Sequence, residues 1–320
     1  MAAAGPTLLA DIGGTNARLA LLHDDHGVTD VARLAVADFA EPLSAFRTYL
    51  DRHSGAAPPV AAIIAVAGPV EGNRARLTNG AWSLEAGELA SDLGLSRVRL
   101  VNDYEALARA LPYLGLDDLA PVGGGHPAAD APMLVLGPGT GLGVGAFLPN
   151  PEGGGRAVVG EGGHATLAAG DHREAALIAR LRAEFGHVSA ERVLSGPGLV
   201  NLARAIAAED GLGAPPQTPE AVTEAAVSGA CPACVAALEA FWRMLGGFAG
   251  DLALVFGARG GVYLAGGIAL RFADVLRASD FRARFEDKGR FRQYLEAVPS
   301  YVVVHPDPAF LGLAALAEET

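Results

Sequence analysis

An α/β protein built from two related halves is the fold the chain predicts, and three observations carry the prediction. Leu8 to Leu22 (LLADIGGTNARLALL) and Leu134 to Leu148 (LVLGPGTGLGVGAFL) share one pattern. Each is an apolar run, a Gly/Thr-rich turn and a second apolar run, which reads as a β-hairpin with a bare tip. Strand-like and helix-like segments alternate along the rest of the chain. Pro/Gly-rich punctuation at His53 to Pro59, Gly123 to Pro132, Pro149 to Gly155 and Gly211 to Pro219 separates them. At 320 residues, with 51% hydrophobic and 19% charged content, the chain is long and apolar enough for about two domains with real cores.

Taken in order, the first hairpin is followed by Val60 to Ala67 (VAAIIAVA), whose length and branched residues predict a buried strand. Ser83 to Leu93 predicts a helix capped by Ser83, with Glu85 and Glu88 near its positive end. Val98 to Val101 predicts a strand, and Glu105 to Leu111 a helix that Pro112 closes. In the second hairpin, Val144 to Leu148 reads as a short strand ended by Pro149. Ala233 to Phe256 carries helix-spaced apolar residues, and Gly261 to Gly267 reads as a strand entering a glycine turn. Each half is thus expected to contribute one glycine tip to a central cleft.

Composition excludes several classes. A net charge of -12 repels phosphate-rich polymers, so nucleic acid is not an expected partner, although a local anion site is compatible with it. The N-terminal MAAAGPTLLAD lacks the basic flank and apolar length of a signal peptide. No segment approaches the roughly 18 apolar residues of a membrane span. The two cysteines, Cys231 and Cys234, begin an apolar helical pattern. A C-P-A-C pair suits a redox or half-zinc site, but without a second ligand pair it is expected to pack or cap the helix start. The cytoplasm is the expected compartment.

The glycine tips are the first chemical signal. Glycine removes the Cβ, so amide N–H groups can close on an anion, and a neighbouring Thr hydroxyl adds a donor. Lys288 is the chain's single lysine, so neither tip is a Walker loop or the glycine loop of a protein kinase. Gly141 to Ala146 fits the dinucleotide fingerprint GxGxxA, but that fingerprint needs a helix after the glycines, where a strand is predicted.

Carboxylates supply the second signal. Asn102 and Asp103 follow a strand and precede a helix, at the strand end where open α/β sheets bind ligands; either could equally cap that helix. Asp11 ends an apolar strand beside the first tip. Such a carboxylate repels phosphate unless it holds Mg²⁺, directly or through water; capping the turn is the alternative. Glu161, His164 and Glu191 form a third group whose donors and acceptors suit sugar hydroxyls. As a zinc site Glu161 and His164 lack partners.

The segments ADIGGTNAR (Ala10 to Arg18), VNDYEALARALP (Val101 to Pro112), LGPGTGLGVG (Leu136 to Gly145), GEGGHATLA (Gly160 to Ala168), GHVSAERVLSGPGLVNL (Gly186 to Leu202) and YLAGGIA (Tyr263 to Ala269) occur in an order that resembles bacterial glucokinases of the non-ROK type. That family lies within the sugar kinase, actin and heat-shock chaperone ATPase superfamily. The ROK cysteine-rich zinc motif is absent. The resemblance implies two ribonuclease-H-like (actin-like) α/β domains with an interdomain cleft, a small one from residues 1–113 plus 305–320 and a large one from 114–304. It implies ATP-dependent phosphorylation of glucose at O6, with Asp103 as catalytic base. Asn102, Asp103, Glu161, His164 and Glu191 would hold the sugar. Ala10, Asp11, Ile12, Gly13, Gly14 and Thr15 would form one phosphate loop, and Gly137, Gly139, Thr140 and Gly141 the other. Gly266 and Gly267 would lie against adenosine, with Mg²⁺ near Asp11 through water. ATP and Mg²⁺ are the implied cofactors and a homodimer the implied assembly. A kinase for another hexose or amino sugar, and an actin-like or chaperone-like ATPase that controls protein partners, are the alternatives. Arg18 either adds charge at the phosphates or serves the strand.

Overall fold

In the computed structural model, which describes residues 5–24, 27–53 and 57–319, the chain divides into two units, Met1–Leu114 with Pro306–Thr320, and Gly115–His305. The first residues of the N-terminal segment and part of the His53 to Pro59 punctuation lie outside the described residues.

The first unit begins with three antiparallel strands, β1 (Thr7–Ile12), β2 (Asn16–His23) and β3 (Gly27–Ala35). Helix α1 (Pro42–His53) leads to β4 (Ala61–Val66), parallel to β1. A small sheet of β5 (Val70–Glu71), β6 (Arg74–Arg76) and β7 (Ser83–Glu85), then α2 (Ala86–Leu93), precede β8 (Arg97–Asn102), parallel to β4; α3 (Asp103–Ala110) follows. The resulting order is β3-β2-β1-β4-β8. Side chains alternate across a strand, so Leu8, Ala10, Ile12, Ile64 and Val66 pack with Phe46 and Tyr49 of α1, whereas Leu9, Ala20, Ile63 and Ala65 pack on the other face. Both faces are therefore covered, as a parallel core requires.

The second unit opens with β9 (Leu119–Gly123), then the hairpin β10 (Met133–Pro138) and β11 (Leu142–Pro149), and β12 (Gly155–Gly160). Four helices, α4 (His172–Phe185), α5 (Gly196–Asp210), α6 (Pro219–Val227) and α7 (Pro232–Phe256), lead to β13 (Gly261–Leu264). After the short helices α8 (Gly267–Arg271), α9 (Ala273–Ala278), α10 (Phe281–Glu286) and α11 (Arg292–Glu296) comes β14 (Ser300–Val303). The sheet order is β12-β11-β10-β13-β14-β9. Its first five strands repeat the order and polarity of the first sheet: an antiparallel triplet, then two parallel additions. In α7, Gly246 and Gly250 face the backbone of α10, where an added Cβ would lie 2.1 Å from the Phe281 carbonyl oxygen and 2.5 Å from that of Phe285. The chain then returns to the first unit as α12 (Ala309–Glu318), whose Phe310, Leu313 and Leu316 bury against Leu9, Ile63 and Ala106.

Three expectations are corrected. Ser83 is in β7, not at a helix cap, because Ala75 and Leu84 pair across β6 and β7; α2 starts at Ala86, and the Glu85 carboxylate caps it by accepting the Glu88 N–H at 2.7 Å. Helix α3 begins at Asp103 rather than Glu105. The Gly123 to Pro132 punctuation begins one residue late, since Gly123 still belongs to β9, an edge strand that tolerates Pro121.

Candidate active site

Register alone gathers the first cluster. Ile12 pairs with Val66 and Val66 with Asn102, so three parallel strands end level, β1 running into the first glycine tip and β8 into α3. Beyond Ile12 lies the tip, closed by Gly13 N–H donating to the Asn16 carbonyl at 2.9 Å. At Gly14 a Cβ would stand 2.6 Å from the Asn79 carbonyl oxygen, so this position cannot take a side chain without movement. Thr15 is exposed at the tip, whereas Ala10 and Ile12 are buried and have only backbone to offer a ligand.

Beyond Asn102 lies α3. The Asn102 Oδ1 accepts the Tyr104 N–H at 2.9 Å and its Nδ2 donates to the Gly68 carbonyl at 3.0 Å. Asn102 is therefore the cap, tied to the neighbouring strand end, and one amide hydrogen of its two stays available. Asp103, in the first turn of α3, takes a second share of the same Tyr104 N–H at 3.1 Å.

Asp11 pairs across the sheet with Arg18, and Arg18 with Arg33, placing three charges in a row over β1, β2 and β3. Arg18 Nη1 donates to Asp11 Oδ2 at 2.8 Å, and Arg18 Nε lies 3.2 Å from Asp307 Oδ1, which Arg33 also approaches at 3.5 Å. Burial pushes the Asp11 carboxyl above its ordinary pKa, and the Arg18 guanidinium opposes that rise. Arg18 thus holds Asp11 in place, and Asp307, from the segment before α12, holds Arg18. No sequence signal marked Asp307, because it meets this row only after the chain has returned to the first unit. Among the described residues no group of three or more His, Cys, Asp and Glu forms a metal cage. A single hard carboxylate suits Mg²⁺, which keeps waters and phosphate oxygens as its other ligands.

The second cluster is built within the second unit. Gly139 N–H donates to the Gly141 carbonyl at 2.8 Å, which closes the second tip, and Gly196 N–H ties it to α5 through the Gly139 carbonyl at 2.8 Å. Thr140 is exposed. Beyond the tip runs β11, a strand, so the helix that a dinucleotide fingerprint needs is missing. Glu191 Oε2 accepts the Leu142 N–H at 2.9 Å, and its own N–H donates to the Gly163 carbonyl at 2.8 Å. That carboxylate leaves no room at Gly141, where a Cβ would be 2.6 Å from Glu191 Oε2. Gly163 belongs to the turn that carries Glu161 and His164, with side chains 78% and 60% exposed and His164 Nε2 3.9 Å from Glu161 Oε2. The tip, Glu161, His164 and Glu191 are thus joined through Glu191. Gly266 lies beside the tip's entry strand with φ +89°, and a Cβ there would be 2.9 Å from the Pro138 carbonyl oxygen. Gly267 starts α8.

A duplicated sheet with a glycine hairpin in each copy and a C-terminal helix returning to the first copy define the actin-like class of α/β proteins. A family model described as glucokinase matches residues 8–320. The chain is 48% identical to a glucokinase of Paramagnetospirillum magneticum over 97% of this chain and 96% of the relative, and 48% identical to one of Aromatoleum aromaticum over 98% and 97%. Its fold is similar to the crystal structure of a glucokinase from an Antarctic psychrotroph, with TM-score 0.88, 36% identity and coverage of 98% and 99% of the two chains. The chain belongs to the glucokinase family.

Proposed function

We propose that the protein transfers the γ-phosphoryl group of ATP to O6 of glucose, giving glucose 6-phosphate and ADP. The observation that carries this reading is that the first glycine tip and Asp103 emerge from strand ends that register holds level in one sheet. That shared level supports reading the tip as a phosphate-binding loop and Asp103 as the proton acceptor. Asp103 takes the O6 proton while O6 bonds to the γ-phosphorus and the bond to ADP breaks, help typically worth about 10² to 10⁴ in rate.

Asn102, Glu161, His164 and Glu191 hold the sugar with Asp103. Glu191 has one oxygen committed to Leu142 N–H, so the other serves the ligand. The amides of Gly13, Gly14 and Thr15, and of Gly137, Gly139, Thr140 and Gly141, take the phosphates, with the two Thr hydroxyls as added donors. Gly266 and Gly267 lie against adenosine. Asp11 would hold Mg²⁺ through water, and the ion when bound would neutralise charge on the phosphoryl group. A cytoplasmic homodimer completes the reading.

The test is a product assay with MgATP and a panel of hexoses and amino sugars, scored by kcat/KM. Glucose 6-phosphate formation with glucose preferred supports the proposal. A higher value for another sugar moves the assignment to that substrate.

A further inference from the structure

The C-P-A-C segment is the motif that phosphotransfer leaves unused. Cys231 and Cys234, the chain's only cysteines, stand one helical turn apart at the start of α7. Cys231 caps the helix, its Sγ accepting the Cys234 N–H at 3.4 Å, and the Cys234 thiol points back so that the two sulfurs lie 2.8 Å apart. Capping by itself needs one side chain, and the other helices with side-chain caps use oxygen: Glu85, Asn102, Asp171, Ser195 and Thr218. The second thiol adds nothing to the cap.

The two sulfurs differ in access. Cys231 is half-buried, while Cys234 is fully buried and burial pushes its thiol up to about 12. One reachable thiol backed by one protected thiol is the arrangement in which the first attacks an outside sulfur and the second resolves the product.

We propose that Cys231 and Cys234 are a reversible oxidation site that takes low-molecular-weight disulfides such as glutathione disulfide as oxidant. The Cys231 thiol loses its proton and its sulfur attacks one sulfur of the small disulfide, whose S–S bond breaks and releases one small thiol. The Cys234 thiol then loses its proton, and its sulfur displaces the second small thiol from Cys231. The protein gives up two electrons and two protons, and the small disulfide becomes two thiols.

The full chain is incubated in defined mixtures of glutathione and its disulfide, quenched with acid, alkylated and weighed by mass spectrometry. The wild type is expected to lose two hydrogens, resist alkylation at both sites and recover on addition of dithiothreitol. Cys234→Ser is expected to accumulate one glutathione at Cys231, and Cys231→Ser to stay unmodified while native. Both variants, when reduced, keep wild-type phosphotransfer, which shows that they are folded. A wild type alkylated at both cysteines in every mixture, or one that stops at the mixed disulfide, overturns the proposal. So does a Cys231→Ser variant that reacts as fast as the wild type.

Discussion

Asn102 and Asp103 could each have capped α3, and their bonds divide the work: Asn102 accepts the Tyr104 N–H and donates to Gly68, which leaves Asp103 set by the helix rather than setting it. Asp103→Asn keeps the shape and removes the proposed base. It is expected to lower kcat by about 10² to 10⁴ while glucose affinity by calorimetry stays within a few fold; unchanged kcat would remove Asp103 from the role. At Gly141 even a methyl group meets the Glu191 carboxylate, at 2.6 Å. Gly141→Ala is therefore expected to raise KM for ATP and for glucose together, since Glu191 contacts both the tip and the turn that carries Glu161 and His164. An effect on ATP alone would separate the two. The glycine tips were legible in the sequence from the apolar runs on either side, whereas the sequence left open which of Asn102 and Asp103 caps α3. The Asp307 contact to Arg18 was not, since it depends on where the C-terminal segment lands.

The elements show the same division. Hairpins were legible from apolar runs around glycine tips, and α7 from its spacing, whereas β7 displaced a predicted cap because cross-strand pairing outweighed a local Ser preference. Strands β3 and β12 went unread because their pattern is half exposed. Helix α4 offers a pH test. Its cap, Asp171, accepts the Glu174 N–H at 2.8 Å, and that bond, ahead of the Arg243 charge, holds its pKa below the ordinary 3.8. A depressed carboxyl stabilises the fold above its unfolded pKa and loses that contribution as pH falls through the native value. Asp171→Ala is expected to cost about 1 kcal/mol in urea unfolding at neutral pH, with the gap to wild type narrowing below pH 3.8. Helix α12 offers a packing test. A Cβ at Gly312 would sit 1.8 Å from the Ala106 carbonyl oxygen of α3, so Gly312→Ala must push the helices apart. A loss of about 1 to 3 kcal/mol is expected by denaturant melt, and an unchanged midpoint would show that the helices have room.

At the scale of the whole molecule, the repeated strand order explains why two glycine tips exist: the same antiparallel triplet was used twice, and each copy carries its tip between its first two strands. Between the antiparallel triplet and the fifth strand one copy carries α1 and α2 and the other α4 to α11, and Glu161, His164 and Glu191, proposed to hold the sugar, belong to the elaborated copy. An ATPase that controls protein partners would have no use for that group. The most direct measurement is ADP release from MgATP with and without glucose, followed alongside glucose 6-phosphate. The account predicts one ADP for each glucose 6-phosphate and a rate without glucose that is lower by orders of magnitude. ADP release at the same rate in the absence of sugar would contradict it.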